Sequence, residues 1–420
     1  MGVFRQPLNA WLMTKRTVAI IIAGFFTVFI AFAVRYAYGL LLPEMLPALA
    51  ISKTQAGVVY SSYFIAYTVF SPLLGLLADR YDARFILTFF VGILGLGAFL
   101  MSYSSSVFSA SLFFTLAGIG HSACWVPVVA LIQRWVSDKR RGIALAFTDI
   151  GSATGIAVWS SLIPVIVATY SWRTGWMSLG LFAFVVAGMN FLLVRSHPKQ
   201  ESRSQHPTST RFTHETVRVT YKRLLYNRTF WLIGLSYLAI AFSILIPFTF
   251  LSIYAADGLA MPYEAATRLI AVIAIAGVLG KLVLGHLSDT LGRMKVMILC
   301  GALVAAGCLG MACFQRYFTL ILSTFIFGLG YGAIWPVYAA SAADYFSKGS
   351  AGSVVGLWTI YLGVGSMLSP VVTGWTIDAT GGYIWAFLLA LIGAVISLLL
   401  LLPIAKTFST APSGHTRSYD

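Results

Sequence analysis

The strongest constraint on this chain is a series of long apolar segments that recurs from one end to the other. Hydrophobic residues make up 59% of the 420 residues, and charged residues only 10%. Each segment reaches the length of about 20 residues that a helix needs to cross ~30 Å of hydrocarbon. The short alternating segments of a transmembrane β-barrel do not occur. The sequence therefore predicts an all-α, multi-pass membrane protein.

Twelve such segments are predicted to span the bilayer. Their positions are 17–42, 55–78, 84–104, 107–133, 143–168, 175–195, 229–254, 265–288, 294–314, 317–341, 351–376 and 384–405. The first segment follows Lys15 and Arg16, but its apolar run is much longer than that of a signal peptide, so we expect an uncleaved first span.

The distribution of positive charge predicts the orientation. With the N-terminus inside, 22 of the 28 Lys and Arg residues fall on the cytoplasmic side and four fall outside. Because cytoplasmic loops carry the excess of Lys and Arg, both termini are predicted to be cytoplasmic, in an inner membrane. The net charge of +15 thus reflects topology, and we expect the lipid bilayer, not nucleic acid, as its partner.

A polar stretch and a repeat divide the chain into two halves. Residues 196–228 are predicted to form a cytoplasmic linker between a six-helix bundle at 1–195 and a second one at 229–405, with a cytoplasmic tail at 406–420. The halves align at an offset of 210 residues, at which "GIGHSACWVP" overlays "GLGYGAIWPV" and "GLLADR" overlays "GHLSDT". A duplicated unit of this kind is typical of transporters.

The loop motif "GLLADRYDAR" and its second copy "GHLSDTLGRMK" resemble the signature of the major facilitator superfamily. This resemblance implies two pseudo-symmetric six-helix bundles, the major facilitator fold. In the first copy Asp82 stands where the family usually has Gly. Side chains of the motif have the charge and position to cap and bridge helix ends, and we expect them to act as a conformational latch. They are Asp79, Arg80, Arg84, Asp289 and Arg293.

A narrower resemblance links the first and eighth spans to the monocarboxylate and oxalate/formate porters. In monocarboxylate porters an arginine of the eighth span meets the substrate carboxylate, and Lys281 is the matching residue here. Two features depart from these branches. Gly277 replaces the porters' carboxylate one turn earlier, and the lysine of the oxalate/formate exchangers has no counterpart near Trp358 and Tyr361.

Three formal charges are predicted to lie within the spans. Charged side chains at this depth cost a few kcal/mol, so a functional role is the default interpretation. We predict that Lys281 and Arg35 bind the anionic substrate. Asp149, at a similar depth to Lys281, is a candidate for proton coupling by pairing with that lysine. Structural ion pairs or snorkelling are the alternative roles.

Other candidate residues are polar or aromatic side chains within the spans. His121 is a candidate for substrate contact or for proton relay, and a neighbour-bonded packing role is the alternative. Aromatic side chains could line an apolar wall around an organic anion, or could pack against lipid or core. They are Trp125, Tyr331, Trp335, Trp358 and Tyr361, while Tyr38, one turn after Arg35, is predicted to face the anion together with that arginine.

The sequence therefore predicts a monomeric secondary transporter that moves a small organic anion, first of all a monocarboxylate, by proton symport. A proton-driven exporter of an amphipathic drug or metabolite and a dicarboxylate exchanger are the alternatives. No nucleophile-and-base motif, metal cluster or Walker motif occurs, so we expect no enzyme activity, no metal and no cofactor.

Overall fold

The computed structural model describes residues 15–195, 224, 226–346 and 351–409, which form helices and their connections without a β-strand. Residues 196–223 of the predicted linker and 410–420 of the predicted tail lie outside this part. Twelve of the described helical segments are long and apolar enough to cross a membrane, which confirms the predicted fold class. The chain divides into two compact units, Met1–Ser209 and Thr210–Asp420.

Seven helices are described in the N-terminal unit. They are α1 (Lys15–Leu49), α2 (Lys53–Arg80), α3 (Ala83–Met101), α4 (Val107–Ser122), α5 (Val126–Trp135), α6 (Asp138–Thr169) and α7 (Trp172–Leu193).

Six α-helices and one π-helical turn are described in the C-terminal unit. They are α8 (Arg228–Ile253), the π-helical turn (Tyr254–Gly258), α9 (Tyr263–Leu291), α10 (Arg293–Cys313), α11 (Tyr317–Tyr345), α12 (Ala351–Thr380) and α13 (Ile384–Ser409).

Polar residues in the short connections determine where several helices begin. The Ser52 hydroxyl accepts a hydrogen bond from the Gln55 backbone N–H, and the Gln55 side chain accepts one from the Ser52 N–H. Ser106 and Asp82 cap α4 and α3 in a similar way. The first N–H groups of a helix have no acceptor within the helix, and these caps supply one. The capping residues therefore determine where each helix begins.

The fourth predicted span is interrupted in the structure. α4 ends at Ser122 and α5 begins at Val126, so that span 107–133 consists of two helices instead of the single predicted one. Pro127 explains the position of the break, because proline donates no backbone hydrogen bond and its ring clashes with the carbonyl four residues earlier. Proline in the first turn of a helix is tolerated, and Pro127 lies in the first turn of α5.

Equivalent helices pack in the same way in the two units. In the first unit α1 packs on α6 and α7, α4 packs on α2 and α3, and α3 packs on α7. In the second unit α8 packs on α12 and α13, α11 packs on α9 and α10, and α10 packs on α13. The five pairings correspond one to one, as the 210-residue repeat requires.

Glycine contacts repeat at the same offset. A Cβ atom on Gly118 would lie 2.3 Å from the Tyr63 carbonyl oxygen, and one on Gly328 would lie 2.7 Å from the carbonyl oxygen of Ile273. Tyr63 and Ile273 are themselves 210 residues apart. Gly120 and Gly330 contact α3 and α10 at similarly short range. These glycines therefore let α4 and α11 approach neighbouring backbones, which is how small residues support helix packing in membranes.

We predict that Gly118→Ala destabilises the protein. The added methyl group would overlap the backbone of Tyr63, and overpacking of this kind costs about 1–3 kcal/mol. Gly92→Ala is the matched control, because a Cβ atom there meets nothing within 4 Å among the described residues. The melting temperatures of both variants in detergent check the prediction, and equal values would contradict it.

Candidate functional site

The first element of the site is the side chain of Arg35 in the middle of α1. Arg35 is only 6% exposed. Its guanidinium carbon lies 4.6 Å from the ring centre of Phe64, and between 5.4 and 5.8 Å from those of Tyr36, Tyr67 and Phe32. These four rings, which we call the aromatic cage, stabilise the positive charge by cation–π interaction. Among the described residues, Nε has no hydrogen-bond acceptor and no carboxylate forms an ion pair with Arg35.

The cage includes residues that the sequence analysis did not select. On α2, aromatic residues recur at positions 60, 63, 64 and 67, the spacing of one helical face. On α1, Phe32 and Tyr36 lie one turn before Arg35 and directly after it. Aromatic residues at helical spacing near a buried cation were therefore the sequence signal that could have indicated the cage. A row of aromatic residues on one helix face is equally typical of ordinary core packing.

His121 lies in the last turn of α4, beside the aromatic cage. The His121 side chain is 1% exposed, and its Nδ1 atom lies 2.6 Å from the Tyr63 hydroxyl and 3.0 Å from the carbonyl oxygen of Ala31. Its ring centre lies 5.2 Å from that of Phe32 and 5.3 Å from that of Tyr67. His121 thereby connects α4 to α1 and α2.

Tyr38 holds two helices together and is fully buried. Its hydroxyl donates a hydrogen bond of 2.7 Å to the Ala56 carbonyl, and its ring stacks on Tyr60 at 4.9 Å and Phe114 at 5.1 Å. These contacts show that Tyr38 packs α1 against α2, and its predicted role of facing an anion beside Arg35 stays a prediction. The neighbouring Tyr60 hydroxyl is also buried but has no hydrogen-bond partner among the described residues.

Lys281 lies half-buried on α9 in the C-terminal unit. One turn earlier, a Cβ atom on Gly277 would lie 3.3 Å from the Tyr331 ring, and the Gly277 backbone directly contacts Gly332 on α11. Tyr331 also packs against Phe248 at 5.0 Å. A Cβ atom at position 277 would therefore press against the Tyr331 ring, so glycine gives this ring more room than the carboxylate of the monocarboxylate porters would.

The remaining aromatic candidates of the C-terminal unit form two packed groups. Trp335 is half-buried and contacts Tyr237, which stacks on Tyr338. Trp358 is 1% exposed and donates a hydrogen bond to the Phe230 carbonyl. Tyr361 is partly buried, and its ring centre lies 6.2 Å from that of Phe230.

Asp149 and Trp125 complete the candidates of the N-terminal unit. Asp149 is half-buried on α6, and the hydroxyl of Ser152 donates a hydrogen bond to its backbone carbonyl. Trp125 is half-buried and precedes the first residue of α5, at the break in the fourth span. The predicted pairing of Asp149 with Lys281 would join the two units and stays a prediction.

Among the predicted latch residues, Arg293 of the second motif copy forms two ion pairs. Arg293 lies 3.3 Å from Asp289 and 2.8 Å from Asp344, an α11 residue that the sequence analysis missed. In the first copy, Arg84 lies over the Phe191 ring at 3.9 Å, while Asp82 caps α3. The side chains of Asp79 and Arg80 lie outside the described residues.

Two six-helix units with matching pairings, each with polar groups buried at membrane depth, define a helical membrane-transport architecture. The family model of the Major Facilitator Superfamily matches residues 24–293 and 264–417. The chain belongs to the Major Facilitator Superfamily, as the loop motifs predicted.

Relatives in this superfamily have organic anions in their names. The chain is 24% identical to the hexuronate transporter of Bacillus subtilis over 96% of its own length and 98% of the relative's. It is 25% identical to the probable sulfoacetate transporter of Cupriavidus necator, over 86% of its own length and 87% of the relative's. It is 24% identical to monocarboxylate transporter 12 of Xenopus laevis, over 66% of its own length and 64% of the relative's.

A solved structure shows the same fold. A bacterial homologue of the human lysosomal transporter Spinster, in an inward-facing and unoccupied conformation, matches with a TM-score of 0.78 at 15% identity. The match covers 95% of this chain and 100% of that one.

Tyr38 and Tyr60 provide a matched pair for testing this packing. We predict that Tyr38→Phe lowers stability by about 1 kcal/mol, because it removes the hydrogen bond that links α1 to the Ala56 carbonyl of α2. Tyr60→Phe removes a buried hydroxyl that has no hydrogen-bond partner in the described structure, so it is expected to be neutral or stabilising. Melting temperatures of the two variants in detergent are the measurement, and the reverse order would refute the assignment.

Proposed function

We propose that this chain is a secondary active transporter of a small organic anion that carries a carboxylate group. The observation that carries the proposal is the buried Arg35, held by four aromatic rings with no acceptor for its Nε among the described residues. Rings stabilise a cation but accept no N–H hydrogen bond of ordinary strength. A carboxylate would supply that acceptor, and the planar fork of a guanidinium matches it with two parallel hydrogen bonds.

The relatives support an anionic substrate. Hexuronate, sulfoacetate and monocarboxylates all contain a carboxylate, although they differ in size and in their other polar groups. We therefore propose an organic carboxylate as the substrate class, with monocarboxylates as its first members to test.

Coupling to protons belongs to the same proposal. Asp149 is a half-buried carboxylate within a membrane-spanning helix, and intramembrane carboxylates commonly take part in proton relays. Lys281 on α9 is the second proposed cation of the transport pathway. We further propose the inner membrane, cytoplasmic termini and a monomer, the first two because 22 of the 28 Lys and Arg residues fall on one side of the predicted topology.

Uptake into proteoliposomes tests the substrate class. Labelled lactate, pyruvate, glucuronate and sulfoacetate are offered with and without an imposed pH gradient. Uptake of any of them supports the proposal. Binding of one of them without uptake would indicate a sensor, and export of an amphipathic dye that does not need Lys281 would support the exporter alternative.

We predict that Arg35→Gln raises the KM for the transported carboxylate about 10- to 100-fold. The variant loses a charge-assisted hydrogen bond worth roughly 1.5–3 kcal/mol. Arg35→Lys keeps the charge but not the fork, so its KM should lie between those of the wild type and Arg35→Gln. Arg268→Gln is the control, because Arg268 is 59% exposed and pairs with Glu264. An unchanged KM in Arg35→Gln, with the variant folded, would refute the anion site.

We predict that Asp149→Asn abolishes accumulation driven by a pH gradient while it preserves exchange of labelled for unlabelled carboxylate. Asparagine cannot bind and release a proton, whereas exchange needs no net proton movement. Glu264→Gln serves as the control, since this carboxylate is 59% exposed in an ion pair at a helix start. Full accumulation with an unchanged pH profile would exclude Asp149 from coupling.

A further inference from the structure

Three helices of the N-terminal unit meet at His121. The Nδ1 atom of this histidine lies within hydrogen-bond distance of the Tyr63 hydroxyl on α2 and of the Ala31 carbonyl on α1, and the residue itself ends α4. Ala31 precedes Arg35 by one helical turn. A single side chain therefore links the helix that carries Arg35 to the helix that carries half of the aromatic cage.

The His121 ring also contacts the cage directly. Its centre lies 5.2 Å from Phe32 and 5.3 Å from Tyr67, and both rings lie within 6 Å of the Arg35 guanidinium carbon. Phe32 and Tyr67 come from different helices. His121 thus supports two of the four rings that surround Arg35, without itself being one of them.

The backbone around His121 holds it in place from both sides. Gly118, one turn earlier on α4, contacts the Tyr63 backbone, which brings the Tyr63 side chain within reach of His121. Directly after His121 the helix ends, because α5 begins only at Val126. The position of the ring is therefore determined by a close helix crossing on one side and a helix break on the other.

The C-terminal unit has a different arrangement at the equivalent positions. The 210-residue repeat places Tyr331 at the position of His121 and Gly277 at that of Tyr67. In the C-terminal unit a ring fills the space over a glycine. In the N-terminal unit two rings meet and the histidine reaches two other helices through Nδ1. The histidine occurs in the unit that contains the caged arginine.

We propose that His121 is a positioning residue for the anion site: it holds Phe32, Tyr67 and Tyr63 so that Arg35 keeps its place, and it neither binds the substrate nor relays protons. This inference rests on the proposed function, in which Arg35 binds the carboxylate. A relay would need a titratable group on each side of the imidazole. The described partners of Nδ1 are one phenol and one backbone carbonyl, and no described residue forms a hydrogen bond with Nε2, the atom through which a relay would pass the proton on.

Transport kinetics separate positioning from relay. His121→Phe keeps a ring but loses the hydrogen bonds, and Tyr63→Phe loses only the hydroxyl. In both variants we expect the KM for labelled glucuronate and lactate to rise about 5-fold, the equivalent of roughly one hydrogen bond, in pH-driven uptake and in exchange alike. The pH profile should keep its shape, and His121→Asn, which places a polar atom near that of Nδ1, should restore part of the affinity.

The matched control is Tyr338→Phe. Tyr338 is also a buried tyrosine whose hydroxyl is bonded, to Ser236 and Ser397 in the C-terminal unit. Its KM should not change. If His121→Phe keeps exchange intact but loses pH-driven accumulation, His121 is a relay and the proposal is wrong. If Arg35→Gln leaves the KM unchanged, the proposed function fails; if only Arg35→Gln raises it, the positioning role alone fails.

A second measurement does not depend on the substrate. In protein labelled with ¹⁵N-arginine in nanodiscs, the Arg35 Nε–H signal can be assigned by its loss in Arg35→Lys. Because ring currents from the cage shift this signal, His121→Phe and Tyr63→Phe should move it and Tyr338→Phe should not. An unmoved signal in the first two variants would overturn the proposal even if no tested carboxylate is transported.

Discussion

The crossing of α4 over α2 at Gly118 is the contact on which the site depends. Because Gly118 has no Cβ atom, α4 lies against the backbone of Tyr63, and the side chains of both helices then meet one turn further on. His121, Tyr63 and Tyr67 come together there. Helix association in a bilayer has little hydrophobic driving force, so such close packing of small residues must supply much of it. The same crossing thus contributes to folding and places the aromatic cage.

The two units keep the same helix pairings but differ in what they bury. Gly328 repeats the crossing of Gly118, yet the residues beyond it are Tyr331 and Gly277, where the tyrosine ring lies over the glycine. The C-terminal unit also buries a polar cluster of its own, formed by Ser236, Tyr338 and Ser397. Duplication therefore preserved the backbone contacts, which tolerate no added atom, while the side chains around them diverged.

Much of the fold could be predicted from the sequence, because span length and the 210-residue repeat each follow from a strong physical constraint. The break before Pro127 was missed, since average hydropathy does not register the loss of a backbone hydrogen bond. Arg35 and His121 were selected because polar groups at that depth are costly. The rings of the cage were not, because an aromatic residue at helical spacing has the same pattern in a core as around a cation. Asp344 was missed because its partner Arg293 lies on another helix.

The cage also bears on why the caged cation is an arginine. A central arginine costs about 2.5–3.5 kcal/mol by insertion scales, and cation–π contacts each return roughly 0.5–2 kcal/mol, so four rings can offset the charge. The rings do not offset the cost of a missing hydrogen bond, because a buried N–H without an acceptor still costs about 1–3 kcal/mol. The rings thus compensate for the charge of Arg35, but its Nε–H still lacks a hydrogen-bond acceptor in a defined direction among the described residues. A spherical ion such as chloride would meet the charge, whereas a planar carboxylate would meet the geometry as well, and this difference favours a carboxylate at Arg35 over a halide.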